Sequence, residues 1–125
     1  MITGRVSDEG VPLIMLTVAG RHWAAIVDTG FNGDLELPER LRGVLNERHV
    51  GRVMSALAGG QIIEEDAFQV EFPFDGETVR ADATFVDADE ILIGTHLLRS
   101  YRLTIDFVAR TVEAERRFPS GIAGG

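Results

Sequence analysis

Fourteen glycines spread through a chain rich in β-branched residues limit what this sequence can fold into. Glycine interrupts helices and supplies turns, whereas β-branched side chains suit a pleated, half-buried surface. The combination predicts short strands broken by frequent turns. Ile2 to Val6 reads as a first strand, stopped by Ser7-Asp8-Glu9-Gly10. Leu13 to Val18 follows, and Ala19-Gly20-Arg21 turns the chain back into Trp23 to Val27. Ala24-Ala25-Ile26-Val27 is apolar on both parities, which predicts burial on both faces. Leu35-Glu36-Leu37 alternates as a short strand does. Pro38-Glu39 then fits a first helical turn, with Leu41, Val44 and Leu45 as the apolar stripe of a helix to about Arg48. Val53 to Leu57 and the run from Gln61 read as a hairpin tipped by Ala58-Gly59-Gly60.

Further on, Phe68, Val70 and Phe72 alternate with Gln69 and Glu71, giving a strand with one buried face. Asp75-Gly76 turns into Thr78 to Val86. Ile91-Leu92-Ile93 is a short buried strand ended by Gly94, after which Thr95 caps a brief helix through Leu98. Leu103, Ile105 and Phe107 alternate, as do Val112 and Ala114. Arg110, Arg116 and Arg117 interleave with Glu113 and Glu115, as on an edge strand, and Thr111 to Glu115 could pair across a dimer. No repeat or linker divides the 125 residues, so the expectation is a single all-β domain over 1–125, a barrel or sandwich with one or two short helices. The tail 118–125 is expected to be flexible.

Composition removes several functions. The chain is 45% hydrophobic and 26% charged, an ordinary globular mix. Twenty acidic against 12 basic residues give a net charge of −8, a poor surface for phosphate backbones, so no nucleic-acid partner is expected. Cysteine is absent, which excludes disulfides, thiolate nucleophiles and Cys-based zinc sites. No apolar run approaches the ~20 residues of a membrane helix, and Met1-Ile-Thr-Gly-Arg-Val lacks the make-up of a signal peptide. A cytoplasmic protein without a membrane partner is expected. His22, His49 and His96 have no ligand spacing, and Asp82, Asp87, Asp89 and Glu90 lack the calcium-loop pattern, so neither metal nor cofactor is expected. Ser55, Ser100 and Ser120 lie outside any G-x-S-x-G elbow, and the glycine-rich nucleotide loops are missing.

The informative run is Ile26-Val27-Asp28-Thr29-Gly30, in which two apolar residues deliver an acid to a sharp strand-to-loop turn. Alone, such a tripeptide is an ordinary turn. Two more elements follow in order: the glycine-tipped hairpin, Val53 to Phe68, and Ile91-Leu92-Ile93-Gly94-Thr95-His96-Leu97-Leu98. With Leu103-Thr104-Ile105-Asp106-Phe107 after them, the chain from about Val11 to Glu115 resembles the retropepsin-like aspartic proteases, in their bacterial single-domain form. Where that family usually has Ala or Ser after the motif, this chain has Phe31-Asn32-Gly33.

The resemblance implies a closed acid-protease β-barrel with a flap hairpin, and an aspartic endopeptidase with Asp28 as catalytic residue. Thr29 and Gly30 would support the active-site loop, Ala58, Gly59 and Gly60 would form the flap tip, and Phe31, Asn32, Ile93 and Gly94 would border the substrate groove. Amide hydrolysis without a covalent intermediate needs both an acid and a base. No second Asp-Thr-Gly or Asp-Ser-Gly exists, since Asp75-Gly76 lacks the hydroxyl residue and Asp106-Phe107 lacks both followers. The implied assembly is therefore a C2 homodimer with one Asp28 from each copy and a peptide or protein as substrate. Two alternatives stay open: a catalytically silent dimeric binding module on the same scaffold, and a plain turn at Asp28 in an unrelated barrel.

Overall fold

The computed structural model describes residues 1–56 and 59–118. Leu57, the predicted flap-tip residue Ala58 and positions 119–125 of the expected flexible tail lie outside that range. Among the described residues the strands are β1 (Ile2–Val6), β2 (Pro12–Val18), β3 (Arg21–Val27), β4 (Leu35–Pro38) and β5 (Arg48–Ala56), followed by β6 (Ile62–Phe74), β7 (Glu77–Val86), β8 (Ile91–Ile93), β9 (Tyr101–Asp106) and β10 (Thr111–Arg116). All belong to one sheet in the order β5-β6-β7-β4-β8-β3-β2-β1-β10-β9. Neighbours are antiparallel except β3 with β8 and β4 with β7, which are parallel. The molecule is thus nearly all-β, as expected. The closed barrel is not formed by its hydrogen bonding: β5 and β9 end the sheet at opposite sides.

The sheet curls so that β2 and β6 meet across the core. Ile14 and Leu16 of β2, Val70 and Phe72 of β6, Leu37 of β4 and Ile93 of β8 are almost wholly buried there. Their spacing of two is what puts them on one face of their strands. Phe72 stacks edge-on against Phe74, and Phe74 against Tyr101, extending the core towards β9. Pro73 sits where β6 has passed the end of its pairing with β5, so its missing N–H costs no bond on that side.

Several expectations are corrected. No helix spans 38–48; a single 3₁₀ turn at Glu39–Leu41 is followed by turns, and β5 begins at Arg48. Gly43 and Asn46 take left-handed φ angles of 81° and 55°, which a right-handed helix excludes. The Glu47 carboxylate accepts from the N–H groups of Gly43 and Leu45, occupying donors that a helix would have used. Leu41 and Leu45 are still buried, and the Arg42 guanidinium lies over Phe68 and Phe85 at 5.0 and 4.7 Å. The brief helix at Thr95 to Leu98 is likewise a series of turns.

β3 is buried on one face only: Ala25 and Val27 point inward while Ala24 is exposed. Phe107 lies beyond β9 and is 61% exposed, because the Asp106 carboxylate accepts from Val108 N–H and Ala109 N–H and bends the chain away. β10 is interior, paired with β1 on one side and β9 on the other. Both its edges are used, so it cannot add a strand across a dimer. Trp23 is packed against the core, and its indole N–H donates to Val18 O at 3.1 Å.

Candidate active site

β8 is the element about which the candidate site is built. On one side Val27 of β3 is in register with Ile93, and on the other Leu35 of β4 is in register with the same residue. The chain therefore leaves β3 at Asp28, arches over the end of β8 and returns as β4. Backbone bonds hold this arch at both ends and in the middle. Asp28 N–H donates to Ile93 O at 2.9 Å and Phe31 N–H to Asp28 O at 3.1 Å. Gly94 N–H donates to Asp34 O at 3.0 Å, Thr95 N–H to Phe31 O at 2.8 Å and His96 N–H to Gly33 O at 3.1 Å. Those last two donors are the ones the predicted helix after Gly94 would have presented at its first turn. The arch takes them instead.

The Asp28 side chain is half-buried, and its Oδ1 accepts from Gly30 N–H at 2.9 Å, a local turn that aims the carboxylate. Thr29 and Gly30 are exposed beside it, as is Asn32, whose Oδ1 accepts from the Thr95 hydroxyl at 3.4 Å. Phe31 folds over Gly33 of the arch and Gly94 at the end of β8. A Cβ on Gly33 would stand 2.7 Å from Phe31 Cζ. One on Gly94 would stand 2.7 Å from Phe31 Cδ2 and closer still to the Gly33 carbonyl oxygen. The bulky residue after the motif is thus accommodated by glycine at 33 and 94. Ile93 is 0% exposed and Gly94 lies behind the Phe31 ring, whereas Phe31 itself lines an open cavity.

That cavity, about 550 Å³, lies between the arch with β4 and the β5–β6 hairpin. Gly59 and Gly60 near the tip of this hairpin have φ angles of 91° and 82° and are exposed. Glu36 of β4 and Glu65 of β6 both line the cavity. The Glu36 carboxyl is pushed above its ordinary 4.5, first by burial and then by the charges of Glu65 and Asp28. Neither glutamate was singled out from the sequence. Each lies in a strand pattern where a polar residue is the usual solvent-facing partner, and nothing local shows that the fold turns both inward.

Asp34 was also missed. It is 6% exposed, its Oδ2 accepts from Asp82 N–H of β7 at 2.9 Å, and its Oδ1 lies 2.6 Å from His96 Nδ1. A buried carboxylate with two partners at once ties the arch to β7 and to the turn after β8. His22 pairs with Thr17 and His49 with Asp66, so the three histidines do not converge. Among the described residues no three His, Cys, Asp or Glu side chains are grouped to hold a metal ion, and no helix is long and apolar enough to cross a membrane.

No family model matches the chain, and no curated protein matches it in sequence. Solved structures do. A retropepsin-like aspartic protease from Rickettsia conorii superposes with a TM-score of 0.60 at 16% identity, over 90% of this chain and 88% of that one. The Simian Foamy Virus (mac) protease gives 0.54 at 20% identity, over 70% of this chain and 91% of its own. The EIAV protease complexed with the inhibitor HBY-793 gives 0.60 at 17% identity, over 74% and 89%. Identities this low carry architecture and nothing finer, and the architecture is that of the retropepsin-like aspartic proteases.

Proposed function

We propose that this chain is an aspartic endopeptidase that works as a homodimer, with the two Asp28 carboxyls meeting at the twofold axis. The observation that carries the reading is the Asp28 arch. A carboxylate is held at the end of β3 by Gly30 N–H and left accessible beside a cavity, on a fold shared with aspartic proteases. In that class as a whole, two carboxyls about 3 Å apart share one proton, because both cannot ionise at such a distance. The ionised member takes a proton from water as its oxygen attacks the peptide carbonyl carbon. The protonated member donates to the carbonyl oxygen, giving a neutral tetrahedral diol. Return of protons through the same pair releases the amine and the acid.

Thr29, exposed next to Asp28, would grip its symmetry mate, and Gly30 would let the backbone and the substrate approach. The β5–β6 hairpin would close over the peptide, its tip eased by Gly59 and Gly60, while Phe31 would form part of the groove wall. The test is Asp28→Asn. Asparagine keeps an oxygen for Gly30 N–H and loses the ionisable group, so the arch should stand and turnover should vanish. Sedimentation should show the same assembly as the unaltered protein. Peptide cleavage retained by that variant would overturn the assignment.

A further inference from the structure

The cavity beneath the hairpin is open, about 550 Å³ in volume, and walled in part by Phe31 of the arch that carries Asp28. Leu35, Val53, Ala67 and Val86 give it apolar sides. Its charged lining is mostly acidic, with Asp34, Glu36, Glu65 and Asp82 against a single arginine. Glu36 accepts no hydrogen bond from any described residue, and Glu65 has one partner, the Ser55 hydroxyl at 2.7 Å. Asp34 is taken up by His96 and by Asp82 N–H, and the Asp82 side chain meets Gln69 at 3.4 Å. Arg52 is the one cation among the lining residues, and its guanidinium is drawn off to Glu64 at 2.9 Å and Asp66 at 3.4 Å.

We propose that this cavity receives a lysine or arginine side chain of the substrate, selected by the carboxylates of Glu36 and Glu65. The inference rests on the endopeptidase reading and adds the substrate class. A basic side chain fits in two respects. Its methylene stem lies along apolar walls while its charged head reaches acceptors at the end. An apolar side chain of equal length would fill the space but strip water from two carboxylates and offer them no donor. An acidic one would add a third negative charge. Discrimination therefore comes from the penalty on wrong side chains as much as from attraction to the right one. The Glu65 charge, together with burial, raises the Glu36 pKa, which agrees with both side chains lining one cavity.

The test is a set of peptides that differ only in lysine against norleucine at each position near the cleaved bond, read on the unaltered dimer and on the E36Q/E65Q double variant. At one position the lysine peptide should be favoured in kcat/KM on the order of tenfold, and in the double variant that ratio should fall to about one. Because both peptides are read on the same protein, damage to folding lowers both rates and leaves the ratio intact. A norleucine preference at every position, or a lysine preference that survives both substitutions, overturns the inference. Fluorescence anisotropy with the same labelled peptides separates this from the parent reading. Lysine-selective binding that depends on the two glutamates, without any cleavage, keeps the pocket and discards the protease. Equal binding of the two peptides discards the pocket.

Discussion

Glu36 shows how one side chain links the candidate site to stability. Its pKa is raised in the folded protein by burial, by Glu65 and by Asp28, in that order, so the native state holds this proton more tightly than the unfolded chain does. The favourable contribution is complete below the ordinary value of 4.5 and is lost as pH climbs through the raised folded value. Glu36→Gln removes the titration. Urea unfolding from about pH 4 to about pH 8 should show the variant gaining on the unaltered protein just above the ordinary carboxylate range, and by a constant amount thereafter. A difference that shrinks with rising pH would refute this account. The gain should be modest, since solvent reaches the group and weakens the charge interactions. Residues of this kind were illegible in the sequence for a physical reason. Asp28-Thr29-Gly30 declares itself because its geometry is local. Glu36, Glu65 and Asp34 acquire meaning only when β4, β6 and β7 come together.

At the scale of elements, strands were readable where one face is buried. Phe68, Val70, Phe72 and Phe74 repeat every second residue along β6, and all four are in the core. The first part of β5 was missed because Arg48, His49 and Arg52 carry no apolar signal, and the whole strand is exposed or partly so. Helices were overread because an i, i+4 leucine pair is equally satisfied by a turn that buries the same two side chains, as Leu41 and Leu45 do. The arch and the end of β8 are in close contact at Gly94. Gly94→Ala should force the arch away from β8, since the obstacles are the Gly33 backbone and the Phe31 ring. We expect a loss of roughly 1–3 kcal/mol, typical of overpacking, measurable by urea unfolding, together with a fall in any peptidase activity. Unchanged stability would mean that the arch is free to shift.

For the whole molecule, the proposed function makes activity a property of the assembly, because each chain would supply one Asp28. Specific activity should fall on dilution, in step with the dimer fraction found by sedimentation, and a monomer with full activity would end the dimeric proposal. Each copy carries a net charge of −8 at pH 7, so two copies repel. Raising salt towards about 0.15 M should therefore tighten association. The sheet order has a further bearing on how the protein is made. β1 has β2 on one side, but its other partner is β10, with Ile2 opposite Ala114. Within this sheet β1 therefore keeps one side unpaired until a strand more than a hundred residues later has been made. Until Thr111–Arg116 is in place β1 has a bare edge, and a seam between strands so far apart in sequence is expected to close slowly.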